Sequence, residues 1–272
     1  VYYFQFIKKH PKGLNMKAKI IAKRTLSTKE IDLLTRLEFE GKEIYTKEEI
    51  ILFCGNKQKG SYLIKKLLEK KRLRKIIKNV YLFVPMKAPG GKWAGNEYVI
   101  AKALARGAKY YIGYSSVFNS YGFTDQVAQM IHVVNDKYSL NKNVGGIRYQ
   151  FIKVLSDRIY GMETRRINRE DIVFASKERA LIDAFDFYGV KKGFNVLTEQ
   201  LSNMDMAVLV DYVARYPVCV IRRRMGYFLE RLGVPQKLLR KIDVGIKGYS
   251  FLYDTEAKKG KTDKRWRVIV NG

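Results

Sequence analysis

The sequence has 272 residues, 47% of them hydrophobic and 33 of them Tyr or Phe, which excludes a disordered tail and is enough for a sizeable buried core. Its 53 Lys and Arg residues against 26 acids give a net charge of +27, which favours a polyanionic partner. No apolar run approaches the roughly 18 residues that a membrane-spanning helix needs, so we expect no membrane partner.

The cysteine and histidine content bears on metal binding and on cell compartment. Cys54 and Cys219 lie far apart in apolar surroundings, as reduced thiols of a cytoplasmic protein do. The two histidines, His10 and His132, are too few for a His-rich metal site. We therefore predict a cytoplasmic protein without a metal or a cofactor.

The positive charge is concentrated in the first third of the chain. Residues 1–92 hold 23 of the basic residues and 8 of the acids, and glycines cluster just before residue 95. We predict a domain at 27–88 and a second at 95–272, with a further division near residue 195 left open. Residues 1–26 are predicted to be an N-terminal extension, in which Met16 is a candidate translation start.

Two capping-box patterns mark helix starts in the first domain. Ser27 with Glu30 predicts a helix to about Phe39, and Thr46 with Glu49 predicts a second helix that ends before residue 55. A third helix is predicted from residues 58–61 to about residue 71. Its apolar residues recur at helical spacing and leave three lysines outside, namely Lys65, Lys66 and Lys70.

The basic residues continue beyond the third helix into two predicted strands. Leu73–Ile77 and Val80–Val84 alternate like two β-strands joined by a tight turn at Lys78 and Asn79. Three helices followed by this hairpin predict a winged helix-turn-helix. In that fold the third helix enters the DNA major groove, and the hairpin, or wing, lies along the adjacent backbone.

The second domain alternates between helices and strands, which predicts an α+β protein: a winged helix-turn-helix followed by a mixed α/β domain. Helices are predicted at 97–106, 115–121, 176–187, 204–215 and 218–232. Strands are predicted at 127–134, 147–155, near Arg158 and at 172–175. The last residues from 248 are predicted to form a hairpin with a mobile loop.

Four motifs contain residue types that occur in chemical sites. The segment GNKQKGS from Gly55 to Ser61 has P-loop spacing but lacks the lysine before the serine, and a helix precedes it, so we interpret it as the entry to the third helix. Glu178 and Asp183 lie on different faces of one helix and lack a His or Cys partner for acid–base work.

The tyrosines and serines from residue 110 to 116 have no sequence neighbour that would activate a serine, so we do not expect an enzyme. The run Arg222 to Arg224 is left open. It is either a solvated basic face or a patch for an acidic protein or nucleic acid.

The order of four motifs resembles that of one protein family. RKIIKNVYLFVP is followed by YYIGYSSVFNSYGFTDQV, then by IVFASKERALIDAF, and then by RRRMGYFLERLG. Over about residues 28–235 the chain is similar to the AbiEi family of antitoxins, from abortive-infection type IV toxin–antitoxin systems. The tail after about residue 240 matches nothing in the family.

This resemblance implies two functions. The winged helix would repress the system's own promoter by binding double-stranded DNA repeats, and the C-terminal antitoxin domain would counteract a nucleotidyltransferase-like toxin, with or without direct binding. The DNA contacts implied are Lys57, Lys59, Ser61, Tyr62, Lys65, Lys66, Arg72, Arg74, Lys75 and Lys78. The implied antitoxin surface is Glu178, Asp183, Arg222, Arg223 and Arg224. The wing is richer in lysine than the family leads us to expect, and lysine suits phosphate better than base edges.

Two other functions stay open from the sequence. One is a winged-helix transcription regulator whose larger domain senses a ligand. The other is a nucleic-acid-modifying enzyme whose basic face guides its substrate. A bound small molecule would favour the first, and turnover lost in Asp183→Ala would favour the second.

Overall fold

The computed structural model describes residues 25–88, 92–245 and 247–271. These residues form two compact units, divided after Gly95. Both units combine helices with β-sheet, so the fold is mixed α+β. Of the predicted N-terminal extension, residues 1–24 lie outside the described residues.

The first unit packs helices against a small antiparallel sheet with strand order β1-β3-β2. Its elements in chain order are α1 (Thr28–Glu40), β1 (Ile44–Thr46), α2 (Lys47–Cys54), α3 (Lys57–Glu69), β2 (Leu73–Ile77) and β3 (Val80–Phe83). One core joins them, built from aliphatic side chains of the helices and aromatic side chains of the strands. Its members include Leu34, Leu37, Tyr45, Ile50, Leu63, Leu67, Leu73 and Phe83.

Both predicted capping boxes are present. The backbone amide of Ser27 donates to Glu30 at 2.6 Å, and that of Thr46 donates to Glu49 at 2.7 Å. Each helix ends at a glycine in the left-handed region, α1 at Gly41 and α2 at Gly55. The helix starts and the α2 end were therefore predicted by local residues alone.

The strand β1 was not predicted, because three residues are too few to show an alternating pattern. It joins the sheet through antiparallel pairing with β3, where Tyr45 lies opposite Tyr81. Tyr45 is fully buried, and its hydroxyl donates to the backbone oxygen of Leu37. This strand converts the predicted two-stranded hairpin into a three-stranded sheet.

The prediction that Lys70 points outward with Lys65 and Lys66 is wrong. Its Nζ lies 2.6 Å from Glu30 Oε2 and 2.7 Å from the backbone oxygen of Thr25. Both members of the ion pair are largely withdrawn from solvent. Lys70 therefore ties the end of α3 to the start of α1 and is not available to a partner.

This pair predicts a pH-dependent loss of stability. Burial alone would raise the pKa of Glu30, but hydrogen bonds from Lys70 and Ser27 outweigh it and lower that pKa below 4.5. A carboxyl whose pKa is lower in the folded state stabilises the fold above its ordinary pKa, and that contribution disappears as the pH falls through the folded value. We expect Glu30→Gln, which retains the capping box, to lower stability by about 1.5 to 3 kcal/mol at neutral pH.

The measurement is urea unfolding of wild type and variant over a series of pH values. The difference between the two proteins should shrink as the pH falls below about 4.5. A difference that stays constant down to pH 3 would show that the ion pair does not contribute.

The second unit is built on a six-stranded mixed sheet of order β6-β7-β5-β4-β9-β8. Its strands are β4 (Tyr110–Ile112), β5 (Met130–Asn135), β6 (Leu140–Val144), β7 (Ile147–Lys153), β8 (Met162–Ile167) and β9 (Glu170–Ala175). Its helices are α4 (Glu97–Ala105), α5 (Ser115–Phe118), α6 (Lys177–Tyr188), α7 (Val190–Gln200), α8 (Met206–Arg215), α9 (Cys219–Arg231) and α10 (Gln236–Leu239). Pairs β5–β7 and β4–β9 are parallel, whereas the other neighbours are antiparallel.

Several predicted elements of this unit differ from the structure. The segment near Arg158 is a short 3-10 helix, Ser156–Arg158, and is followed by strand β8. Helix α7 was missed, since its Gly193 is a poor helix former. That glycine is needed, because a Cβ there would lie 2.7 Å from the ring of Phe185 on α6. Helix α7 also runs through residue 195, where the sequence left a further division open.

The predicted C-terminal hairpin has the wrong pairing. The strands are β10 (Ser250–Phe251), β11 (Lys261–Asp263) and β12 (Val268–Val270). Strands β10 and β12 correspond to the two arms of the predicted hairpin, but they pair in parallel. The antiparallel partner of β12 is β11. The segment predicted to be a mobile loop therefore contains a strand.

Membrane-spanning helices, clustered metal ligands and disulfide bonds are not found in the described residues. Within the described residues, no helix combines the length and apolar character needed to cross a bilayer. Nor does that part of the chain bring three His, Cys, Asp or Glu side chains together in a way that could hold a metal ion. Both cysteines are free thiols.

Candidate nucleic-acid interface

Helix α3 is fixed by its cap and by its apolar face. Asn56 Oδ1 accepts from the amides of Gln58 and Lys59 at 2.8 and 3.0 Å. Gly60 allows α3 to approach α2 closely, since a Cβ there would lie 2.9 Å from Ile51 Cγ1. The buried face of α3 is formed by Gly60, Leu63, Ile64 and Leu67.

The opposite face of α3 is basic. Lys57, Lys59 and Lys65 are exposed, and Ser61 and Lys66 are half-buried. Tyr62 is 59% exposed, and Lys66 Nζ lies 5.7 Å from the centre of its ring. The same ammonium lies 3.4 Å from Glu69. The face therefore offers cations, the hydroxyls of Ser61 and Tyr62 and the exposed ring of Tyr62, a set that can contact phosphates and base edges.

The hairpin β2–β3 carries the second part of the candidate surface. Lys75 and Lys78 are exposed and Arg74 is half-buried. The turn at Lys78 and Asn79 is tight, with Asn79 at a φ of 63°. Arg72 differs from its neighbours, because its guanidinium donates to the backbone oxygen of Pro85 at 3.1 Å. Arg72 therefore holds the base of the hairpin and has less freedom to contact a partner.

Two further basic residues near this surface were missed by the sequence reasoning. A cavity of about 250 Å³ lies between the three helices, and both Lys29 and Arg36 of α1 line it together with Lys59. Arg36 also stacks on Phe53, with 4.6 Å between the guanidinium carbon and the ring centre. The seven-residue spacing of Lys29 and Arg36 places them on one helix face, a signal that could have found them.

In the second unit, Asp183 is not on any surface. It is fully buried, and its carboxylate accepts from Arg179 at 3.0 Å and from the hydroxyl of Tyr111 at 3.2 Å. Glu178 is half-buried at the start of α6, where its carboxylate accepts from Ser176 and from the amide of Asp205. Asp183 is therefore a buried packing residue and not part of the implied antitoxin surface, and the two carboxylates do not converge.

The three consecutive arginines of α9 serve the interior of the second unit. Arg223 and Arg224 are buried, and Arg222 is mostly so. Their guanidinium groups bind backbone oxygens of the segment that follows α10, including those of Asp243 and Phe251. Arg224 also pairs with Asp254.

Of the two interpretations left open for these arginines, the solvated basic face is therefore wrong. One segment wraps around α9 and meets all three side chains, and it belongs to the same chain. The arginines hold this segment against α9 through hydrogen bonds, so little of their side-chain surface is left for another molecule.

One serine does have a neighbour that the sequence did not reveal. Ser115 Oγ lies 3.1 Å from His132 Nδ1, and Gln150 also hydrogen-bonds the imidazole. Burial lowers the pKa of His132, so the ring is neutral near pH 7. The nearby Asp186 binds Tyr114 and Arg158. Among the described residues, no carboxylate accepts a hydrogen bond from His132 as the aspartate of a catalytic triad does from its histidine.

Comparisons with known proteins identify a similar fold. No protein-family model matches the sequence, and no curated protein sequence matches it. The structure is similar to the crystal structure of the RV2827C protein from Mycobacterium tuberculosis, with a TM-score of 0.62. The two share 14% sequence identity, and the match covers 90% of this chain and 92% of that chain. Identity this low shows a common fold alone.

Proposed function

We propose that the chain is a cytoplasmic antitoxin of the AbiEi type that represses its own operon. Its first unit is a winged helix-turn-helix that binds double-stranded DNA through α3 and the hairpin β2–β3. Its second unit counteracts a nucleotidyltransferase-like toxin. The antitoxin part of the proposal rests on the ordered sequence motifs that resemble the AbiEi family.

The observation that carries the DNA-binding part is the arrangement of charge on the first unit. Five lysines of α3 and of the hairpin β2–β3 are exposed to solvent, namely Lys57, Lys59, Lys65, Lys75 and Lys78. Aliphatic residues between them, such as Leu63, Leu67 and Ile76, are buried. Keeping so many like charges on one surface opposes folding, unless a polyanion neutralises them. DNA phosphates do so, and counterion release then makes the binding steeply dependent on salt.

The test removes five exposed lysines of this surface together: Lys57, Lys59, Lys65, Lys75 and Lys78, each changed to Gln. Because these side chains are solvated, the fold should be retained. We expect binding to the upstream DNA of the operon to weaken by more than roughly a hundredfold in a gel-shift titration. Rescue of growth in co-expression with the toxin should persist, since that function is assigned to the second unit.

A matched control changes five exposed basic residues of the second unit, which alters net charge equally: Lys109, Lys153, Lys192, Lys237 and Arg240, each to Gln. This control should bind DNA much more tightly than the first variant. Equal binding by the two variants would reject the assigned surface. A wild-type protein that does not bind the upstream DNA at all would reject the repressor function.

A further inference from the structure

A second concentration of positive charge lies in the second unit, on the hairpin β11–β12 and the loop that leads into it. The nine residues from Ala257 to Arg265 include four lysines and one arginine against a single acid. All four lysines are exposed: Lys258, Lys259, Lys261 and Lys264. Within the described residues, no ion pair is formed by these four side chains.

The acid and the arginine of this segment are already used within the fold. Asp263 Oδ1 accepts from the backbone amide of Trp266 at 2.9 Å, and Arg265 pairs with Glu230 on α9. The four lysines are thus the charges left for a partner. The segment from Ala257 to Arg265 therefore keeps a net positive charge.

The hairpin is held in place by three kinds of contact. Strands β11 and β12 pair in register from Lys261 opposite Val270 to Asp263 opposite Val268. Trp266 is buried, and its indole nitrogen donates to Glu230. Asn271 fixes the loop entrance by donating to the backbone oxygen of Ala257 at 3.1 Å. A surface ordered before binding loses less entropy when a ligand binds.

Edge strands often carry lysine simply to prevent pairing with other chains. Strand β8 lies at the edge of the large sheet, and its arginines are paired with nearby carboxylates. There Arg165 pairs with Glu163 at 2.6 Å, and Arg166 pairs with Asp171 at 2.7 Å. Among the residues that the structure describes, Lys258, Lys259, Lys261 and Lys264 have no such partners, which distinguishes this edge from β8.

We propose that the hairpin β11–β12 is a second phosphate-binding surface for duplex DNA, outside the winged helix. The proposal rests on the proposed DNA-binding function and adds a contact that the family resemblance does not cover. Lysine is a compact charge that contacts phosphate without reading sequence. No residue from Ala257 to Arg265 is aromatic, and the ring of Trp266, which anchors the segment, is buried. The segment itself therefore carries no aromatic ring on which single-stranded bases could stack.

The experiment compares three full-length proteins: wild type, Lys258, Lys259, Lys261 and Lys264 all changed to Gln, and a control with Lys109, Lys153, Lys192 and Lys237 changed to Gln. Affinity for the upstream duplex is measured at several salt concentrations. Each phosphate contact contributes roughly 0.9 to the slope of log affinity against log salt. We expect the hairpin variant to lose about 2 to 4 units of slope and the control less than about 1.

The expected loss should be the same on an unrelated duplex, because phosphate contacts carry no sequence information. Wild-type slope in the hairpin variant would overturn this proposal while leaving the proposed repressor intact. Equal losses in the hairpin variant and the control would also overturn it, since they would indicate a diffuse charge effect. No DNA binding by the wild type would instead reject the proposed function itself.

Discussion

Replacing Asp183 by alanine is expected to lower the free energy of unfolding of the second unit by about 3 to 5 kcal/mol. Asp183 and Arg179 form a salt bridge in which both side chains are almost entirely buried. The variant would leave the guanidinium of Arg179 buried without its counter-charge. Breaking a buried pair in this way is far more destabilising than losing a surface ion pair.

The surroundings of the pair explain why Arg179 cannot escape to solvent. Its guanidinium carbon lies within 4.8 to 5.3 Å of the ring centres of Tyr111, Tyr160 and Tyr216. Its Nη2 donates to the hydroxyl of Tyr111 at 2.9 Å. Burial tends to lower the pKa of Arg179, but Asp183 and these tyrosines raise it above its usual value, so the group stays charged.

A double variant provides the control. Arg179→Met with Asp183→Leu removes both charges and keeps apolar volume, so it should be much less destabilised than Asp183→Ala. Urea unfolding followed by circular dichroism measures both midpoints. If the alanine variant unfolds at the wild-type midpoint, the buried pair does not stabilise the unit.

Replacing Trp266 by alanine is expected to destabilise the second unit by about 3 to 5 kcal/mol, the usual range for removing a buried aromatic side chain. Trp266 is among the largest fully buried side chains, and its ring packs directly on α9 at Gly226. A Cβ at residue 226 would lie 2.0 Å from the ring. The glycine and the tryptophan therefore fit each other, and alanine at 266 would leave a cavity at this contact.

The effect should extend to the basic hairpin, because Trp266 joins β11 and β12 to α9. Amide hydrogen exchange should accelerate at β11 and β12 in the alanine variant, more than at β5 or β7 of the large sheet. Trp266→Phe is the matched control, since it keeps most of the apolar packing while it removes the indole nitrogen that donates to Glu230. Equal destabilisation in the two variants would show that the cavity is not the main cause.

The elements that the sequence predicted well carry their signals within a few residues. Ser27 with Glu30 and Thr46 with Glu49 mark helix starts through contacts that span three positions. The cap of α6 at Ser176 and the turn at Asn79 are equally local. Pairing partners are not local, and this is why the parallel pairing of β10 with β12 was predicted as a hairpin.

Local signals predicted most of the candidate DNA surface, but they did not predict the buried charged residues of the second unit. The alternation of lysine with leucine between residues 57 and 78, and its change of period near Arg72, determined which lysines face solvent, because helix and strand geometry fix each side chain's direction. Lys70 is the exception, and only tertiary packing brings its partner Glu30 within 2.6 Å. The positions of Asp183, Arg223 and Arg224 inside the second unit were also decided by tertiary structure. Arg179 is close to Asp183 on the same helix, but the tyrosines that enclose this pair come from distant parts of the chain, as do the partners of Arg223 and Arg224. No local pattern records which distant residues will surround a charged side chain.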